Sequence, residues 1–278
     1  MKNTTDGFTL LELVVVAGIA SVLVMLLATA AANSHPNVRV VQCLANMKQL
    51  TAAWTMYAHD HSDRVPNNFG IPDTMDEIVK KSYRTWACNV MQWTTDSGVT
   101  NEALLRLGLL GPYINGDTRL YRCPSDNYLA SPQIAAGWTA RARSVSMNAF
   151  FGPDRATGGS WQSGKSSWAG PSYRQWLKTG EVPEPSQFFV LLDEHPDSIN
   201  DALFLNNPGT STSWGDIPSS YHNGGCTISF ADGRAEVHKW LSNSSKIPVQ
   251  YSYMPVAFDQ LGRADHAWLM TRATVLWR

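Results

Sequence analysis

An acidic stretch late in the chain offers oxygen ligands of the kind that bind metal ions. LLDEHPDSIND follows a run predicted to be a buried strand and carries four carboxylates, at Asp193, Glu194, Asp197 and Asp201. Oxygen-rich loops suit Ca²⁺. The spacing is not that of an EF-hand, because the sixth position from Asp193 is Ser198 rather than Gly. Two interpretations remain, a structural calcium site and a capped turn solvated by its own acids, and the sequence indicates no other cofactor.

The cysteines are a second group with chemical potential. The chain has four, Cys43, Cys88, Cys123 and Cys226, all widely spaced and none in a C-x-x-C pair. Metal binding by closely spaced thiolates is therefore not predicted. In an oxidising compartment such cysteines form disulfides, and spacing leaves all pairings open.

A histidine and an Asp-Gly pair lie ten positions apart in YHNGGCTISFADG, where His222 precedes Asp232 and Gly233. A Ser-His-Asp hydrolase would also need a serine on a sharp turn, and no G-x-S-x-G stretch occurs. Asp-Gly favours a tight hairpin turn, and His222 could hydrogen-bond across a sheet. We predict no catalytic residues and no enzymatic activity.

The stretch GSWQSGKS, Gly159–Ser166, matches the phosphate-binding pattern G-x-x-x-x-G-K-[ST]. A phosphate-binding loop needs a buried strand before it and a helix after it, so that backbone N–H groups converge on the phosphate. Neither FGPDRATG before the match nor SWAGPSYRQ after it fits that requirement. The match predicts a surface loop rather than a nucleotide site.

Near the N-terminus, a single acid interrupts an apolar run. Phe8 to Ala32 contains no Lys, Arg, Asp or His, yet position 12 is Glu. As a helix, this run is long enough to cross a bilayer, where an ionisable group costs on the order of 2.5 to 3.5 kcal/mol. A cleaved signal peptide, with sites in Ala28–Ser34, and a plain anchor are alternatives, but neither explains Glu12.

Hydrophobic periodicity predicts the elements that position these groups. Apolar residues recur at steps of three and four after Pro36, which predicts an amphipathic helix ending near Asp60 to Pro66. Pro36 itself predicts a kink or a new helix start. The helical stripe is Val40, Leu44, Met47, Leu50, Trp54 and Tyr57. Further predicted elements are a short helix at Asn101–Leu109, a buried strand at Phe188–Leu192, and a hairpin of Thr227–Phe230 with Ala235–Trp240.

Composition limits the classes of function. A net charge of −1 gives no field that would attract nucleic acid. Charged residues make up only 16% of the chain, and tryptophan is abundant, with 11 residues. An alternative function is therefore a binding module for carbohydrate or another polymer, because exposed aromatic rings can stack on such ligands. The tryptophans in the loops are Trp138, Trp161, Trp168, Trp176 and Trp214.

The stretch GFTLLE resembles the processing motif of type IV prepilins. The resemblance implies that a prepilin peptidase cuts after Gly7 and methylates the new amino terminus at Phe8. Glu12 then occupies the fifth mature position, where this family carries its Glu. Its carboxylate would neutralise the amine of a neighbouring subunit and so favour assembly.

The spacing of His222 and Asp232-Gly233 resembles the H-x9-DG motif of one branch of bacterial prepilin-like proteins. CLANMKQL, YRCPSD, RSVSMN and DEHPDSIND support the resemblance. In this branch, the thiols that match Cys43 and Cys123 are suited to tie the helix to the head. Cys88 and Cys226 would be the remaining pair, or else both would stay free as buried thiols. Such a bond could contribute about 2 to 5 kcal/mol.

The resemblance implies an α+β, pilin-like fold, in which a long N-terminal helix packs on an antiparallel β-sheet head with long loops. The implied segments are a prepilin leader at 1–7, a transmembrane and assembly helix at 8–32, its amphipathic continuation at 33–65, and a globular head at 66–278.

The implied function is that of a structural subunit of a type II secretion pseudopilus or a type IV pilus-like filament, polymerised through its N-terminal helix. Expected partners are the prepilin peptidase, identical or related subunits, the assembly platform and the inner membrane, and no nucleic acid. The expected location is the bacterial inner membrane, as a single-pass protein with a periplasmic head. After processing, it would be a periplasmic pseudopilus or a surface filament.

Overall fold

The structure is a computed structural model that describes residues 10–153, 164–166, 173–209 and 211–277, with no side-chain placement for residues 23–37. The chain divides into two compact units, Met1–Val41 and Gln42–Arg278.

The first unit consists, in its described part, of the beginning of helix α1, which runs Leu10–Asp60. The helix continues through Pro36 as one element, so the predicted kink or new helix start does not interrupt it. Large apolar side chains of residues 10–22 are exposed around the whole circumference of the helix. They are Leu10, Leu11, Leu13, Val14, Val15, Val16, Ile19 and Val22.

The predicted location in a membrane is wrong. Among the helical residues whose placement is described, no helix has both the length and the apolarity needed to cross a bilayer. This finding contradicts the single-pass anchor in the inner membrane.

The later part of α1 belongs to the second unit and carries the predicted stripe. Met47, Leu50 and Trp54 are almost fully buried in the core. The helix stops at Asp60 because Ser62 and Asp63 take left-handed backbone conformations, with φ of 58° and 64°. Both the stripe and the helix end agree with the sequence prediction.

The second unit is built around a five-stranded sheet with the order β5-β1-β4-β7-β8. Strand β4 pairs antiparallel with β1 and β7, and β7 pairs antiparallel with β8, whereas β5 runs parallel to β1. The strands are β1 Val145–Asn148, β4 Phe189–Asp193, β5 Leu203–Phe204, β7 Gly225–Phe230 and β8 Ala235–Lys239. The sheet is thus mixed rather than purely antiparallel as expected.

The three inner strands are buried along their whole length. This explains the continuous apolar run of β4, since a strand covered on both faces has no polar side. Helix α1 packs on the sheet, as the 2.6 Å hydrogen bond between Thr51 Oγ1 and Ser229 Oγ of β7 shows. The predicted strand at Phe188–Leu192 is therefore confirmed as the centre of the core.

The hairpin of β7 and β8 turns on the predicted Asp-Gly pair. Ser229 is opposite Ala235, and the amide of Phe230 donates to the carbonyl of Arg234 at 2.8 Å. Gly233 has a φ of +88°, a conformation that residues with a Cβ adopt at a cost. The side chain of Asp232 accepts from the amide of Arg234 at 3.0 Å.

Smaller elements surround the sheet. The other helices are α2 Ile71–Lys80, α3 Glu102–Leu107, α4 Ser131–Ala135 and α5 Gln260–Met270. Two short two-stranded ribbons pair β2 Lys165–Ser166 with β3 Tyr173–Arg174, and β6 Ser213–Trp214 with β9 Val256–Ala257. Helix α3 is the predicted short helix, capped by Asn101, whose side chain accepts from the amide of Ala103. The class is α+β, and a pilin-like arrangement stays a prediction.

Candidate functional site

Four side chains that can bind metals meet inside the second unit, although they are far apart in sequence. Cys43, Cys123, Asp193 and His222 each offer one ligand atom, and these atoms all lie within 4.8 Å of one another. All four residues are buried, and His222 is the most exposed at 5%. We call these four residues the thiol cluster.

Hydrogen-bond distances show how closely the thiol cluster is packed. Sγ of Cys43 donates to Oδ2 of Asp193 at 2.9 Å. Sγ of Cys123 lies 3.3 Å from Nε2 of His222. Each sulfur thus has a non-sulfur partner, and the two sulfurs also lie within 4.8 Å of each other.

Asn46 ties helix α1 to the segment that carries Cys123. This residue lies one turn after Cys43, and its side-chain amide donates to the carbonyls of Arg119 and Arg122 at 3.3 and 3.2 Å. The acceptors belong to the segment that leads directly into Cys123. These contacts accompany the burial of Asn46, which is 5% exposed.

Ser144 connects the segment of Cys123 to the end of strand β4. Its hydroxyl donates to Oδ1 of Asp193 at 2.8 Å and accepts from the backbone amide of Cys123 at 2.7 Å. Asp193 is the last residue of the central strand β4, so its carboxylate lies at the end of that strand, inside the fold. The thiol of Cys226, on β7, donates to the backbone carbonyl of Asp193 at 3.1 Å.

A tight loop before β7 positions His222. Asn223 and Gly224 have φ of 53° and 75°, and the amide of His222 donates to the carbonyl of Gly225 at 3.1 Å. The ammonium group of Lys239 donates to the carbonyls of His222 and Asn223. The loop is thus fixed from β8 as well as from β7.

Burial controls the ionisation of the thiol cluster. It raises the pKa of Asp193 to about 7, against the opposing hydrogen bonds from Cys43 and Ser144. It lowers the pKa of His222 to about 4, with a further contribution from the charge of Lys239. The hydrogen bond with Cys123, burial and the nearby Asp193 raise the pKa of Cys43 well above its usual value. At neutral pH, His222 is therefore uncharged and Cys43 keeps its proton.

The thiol cluster is not built for attack on a substrate. Cys123 and His222 have the spacing of a nucleophile with its base, but Cys123 has no exposed surface. A thiol must be accessible and ionised to react. The chemistry that this arrangement supports is ligation rather than catalysis.

The four cysteines are free thiols, which differs from both suggested disulfides. Cys43 and Cys123 do lie together, as the suggestion requires, but their sulfurs are directed to Asp193 and His222. Cys226 contacts Asp193, whereas the thiol of Cys88 lies elsewhere, 3.8 Å from the carbonyl of Thr85.

The four acids proposed for calcium do not converge on one point. Among the described residues, the metal-competent group that forms is the thiol cluster, and of these acids it includes only Asp193. Oε1 of Glu194 accepts from the hydroxyl of Ser198 at 2.8 Å. Asp197 accepts from the indole N–H of Trp93 and the amide of Gln250. Asp201 accepts from the amides of Ile71 and Leu203. These contacts are those of capped turns, but all four acids are buried, so the expected solvation of the turn is wrong.

The H-x9-DG motif has its two parts at opposite ends of β7. His222 precedes the strand and enters the thiol cluster, while Asp232 and Gly233 follow it and form the hairpin turn. A six-residue strand extends about 20 Å. In this chain the spacing therefore corresponds to the length of one strand, and only the histidine belongs to the site.

The remaining predicted residues lie outside this site. Glu12 is in the first turn of α1, and Gly7 and Phe8 fall outside the described residues. Trp176 and Trp214 are core residues, and Trp138 is half-buried. Trp161 and Trp168 fall outside the described residues.

Sequence reasoning missed Asn46 and Ser144 as site residues. Asn46 had a usable signal, because it lies three positions after a cysteine on the same helix. Ser144 had none beyond its place before a strand.

Comparison of the chain with protein-family models, curated proteins and solved structures finds no match.

Proposed function

We propose that this protein is a structural subunit that assembles with copies of itself through the beginning of α1, as in a pseudopilus or a pilus-like filament. The observation that carries this proposal is the exposure of apolar side chains all round residues 10–22. A helix that is apolar on every side is normally covered by other protein or by lipid.

The hydrophobic gain from covering this segment is large. Leu10 is 81% exposed and Val15, the least exposed of the group, is 53% exposed. Burying one such side chain contributes about 1.5 to 3 kcal/mol. Parallel helices from other copies bury these side chains against one another, because each copy offers the same apolar surface.

Glu12 gives the assembly its register. In the proposal, a prepilin peptidase cuts between Gly7 and Phe8, and the freed amine of one copy pairs with Glu12 of its neighbour. A buried charge is unfavourable alone but is stabilised by an opposite charge with good geometry. Only one axial offset between neighbouring helices allows this pairing, so it selects a single helical stack.

The second unit is the part that the filament displays. Its core is formed by its own residues, including Trp54, Phe189 and Phe230. The protein then acts mechanically, while cleavage and energy come from partners, the peptidase and an assembly platform.

The first test is processing and assembly in a cell that carries a prepilin peptidase. We expect the mature protein to begin at Phe8 with one added methyl group, by intact mass, and to form filaments visible by electron microscopy. Glu12→Gln should leave processing intact and reduce filaments at least about tenfold, the effect of roughly 1.4 kcal/mol per subunit contact.

Glu184→Gln is the matched control, since Glu184 is an exposed acid in the second unit. It makes the same chemical change and should leave filaments unaffected. Normal filaments from the Glu12→Gln protein, or a mature protein that still starts at Met1, would contradict the proposal.

A further inference from the structure

We infer that the thiol cluster is a structural zinc site, in which Cys43, Cys123, Asp193 and His222 bind one Zn²⁺. This inference is independent of the proposed assembly, because all four ligands belong to the second unit. Its basis is the convergence of four buried ligand atoms within 4.8 Å.

The atom spacing fits a four-coordinate ion. Zinc binds sulfur at about 2.3 Å and nitrogen or oxygen at about 2.0 to 2.2 Å. Tetrahedral bonds of these lengths place ligand atoms roughly 3.3 to 3.8 Å apart. The observed separations, 2.9 Å for Cys43 to Asp193 and 3.3 Å for Cys123 to His222, need only small side-chain movements.

The donor set selects the metal. Two sulfurs, one imidazole nitrogen and one carboxylate oxygen suit zinc. Calcium and magnesium need several oxygen ligands, and the thiol cluster supplies oxygen only from Asp193. Four protein ligands with no exposed position are typical of a structural site, whereas catalytic sites keep one position open.

Outer contacts already hold the ligands in place. Oδ1 of Asp193 accepts from Ser144, which leaves Oδ2 directed at Cys43 and the centre of the site. The amide of Ser125 donates to the sulfur of Cys123 at 3.4 Å, a contact that stabilises a thiolate. Such second contacts orient metal ligands in proteins of known metal content.

Zn²⁺ would replace the hydrogen bonds made by Cys43 and Cys123, whose thiol groups are weak donors. When the ion enters, the two thiols lose their protons to solvent and the sulfur lone pairs bond to Zn²⁺. A disulfide between Cys43 and Cys123 would account for the two sulfurs but would leave the approach of Asp193 and His222 without a role. The ion would join α1 to β4 and to the loops carrying Cys123 and His222.

The decisive measurement uses the full-length wild-type protein. After reduction, it is loaded with Zn²⁺, passed through a desalting column and analysed for metal, and we expect about one zinc per chain. Co²⁺ loading should give the thiolate charge-transfer and intense d–d bands of tetrahedral cobalt. Folded protein that retains no zinc and gives an octahedral cobalt spectrum would overturn the inference.

Variants locate the ion. Cys43→Ala, Asp193→Asn and His222→Ala should each weaken zinc binding by more than about 100-fold in competition with a chromophoric chelator, and Ser144→Ala by about 10- to 100-fold. Cys88→Ala is the control, because Cys88 is also a buried free thiol but is not a member of the thiol cluster. It should bind zinc like the wild type.

Two further results would count against the site. The first is equal zinc affinity in the Cys43→Ala and Cys88→Ala proteins. The second is a Cys43–Cys123 disulfide in the isolated protein, found by non-reducing peptide mass analysis, combined with no zinc uptake after reduction. Because the wild-type measurement stands alone, a variant that fails to fold leaves the test intact.

Discussion

At the scale of single residues, burial makes the stability of the fold depend strongly on individual charged groups. Arg141 and Asp126 form an ion pair at 2.7 Å with side chains only 2% and 1% exposed. The Arg141 guanidinium also donates to the carbonyl of Pro196 at 3.3 Å. Removal of one partner of such a pair leaves an uncompensated charge away from water.

The ion pair gives a stability prediction. Arg141→Met should lower the free energy of unfolding by about 3 to 5 kcal/mol, because it leaves the Asp126 carboxylate buried without its countercharge. Adding Asp126→Leu should recover part of that loss, since the double variant removes both charges of the pair. Urea denaturation of the four proteins of this cycle measures both effects.

A matched surface pair provides the control. Arg119 and Asp117 are also 2.7 Å apart, but the Arg119 side chain is 85% exposed. Arg119→Met should cost less than about 1 kcal/mol, because water screens the pair. Equal losses from the two arginine variants would show that burial is not what makes the Arg141 pair important.

At the scale of elements, patterns in the sequence predicted the features that depend on residues close together in the chain. The stripe through Met47, Leu50 and Trp54 identified the buried face of α1, and the Asp-Gly pair identified the β7–β8 turn. The parallel strand β5 escaped prediction because its two residues, Leu203 and Phe204, are too few to show a period. Pairings that join distant segments leave no trace in a short window of sequence.

The thiol cluster shows the same limit. Each member was singled out by residue type, Cys43 and Cys123 for disulfides, Asp193 for calcium and His222 for the H-x9-DG motif. Their convergence depends on how α1 lies on the sheet and on two loops, which spacing along the chain does not encode. The sequence thus predicted the ligand residues but not the site.

Helix α5 carries a pH prediction. Burial lowers the pKa of His266 to about 4, from an ordinary value of 6.5. Its ring packs against Trp214 and Phe258 with centroids 5.3 and 4.8 Å away, and Nε2 has no hydrogen-bond partner in the described structure. The unfolded chain therefore binds a proton here at a higher pH than the folded chain does.

Acid therefore destabilises the fold through His266. The contribution of neutral His266 is present above pH 6.5 and is lost as the pH falls from 6.5 towards 4. His266→Phe should remove up to roughly 3 kcal/mol of that loss at pH 4. Melting temperatures of the wild type and of His266→Phe across this range measure it, and parallel pH profiles of the two proteins would contradict the prediction.

At the scale of the whole molecule, the core and the exposed apolar helix surface belong to different units. The hydrophobic core and all four members of the thiol cluster belong to Gln42–Arg278. The exposed apolar side chains of residues 10–22 belong to Met1–Val41. Folding should therefore depend on the second unit and assembly on the first.

A protein that lacks residues 1–37 separates these roles. It should be monomeric by light scattering and should melt within a few degrees of the full-length protein, because it keeps every residue of the core cluster. It should also bind zinc with unchanged affinity, since Cys43 remains on the shortened helix. The full-length protein under the same conditions should associate, because burial of its apolar helix surface is favourable. An unfolded truncated protein would mean that residues 1–37 contribute to the stability of the second unit. A truncated protein that associates like the full-length protein would place the assembly surface in the second unit.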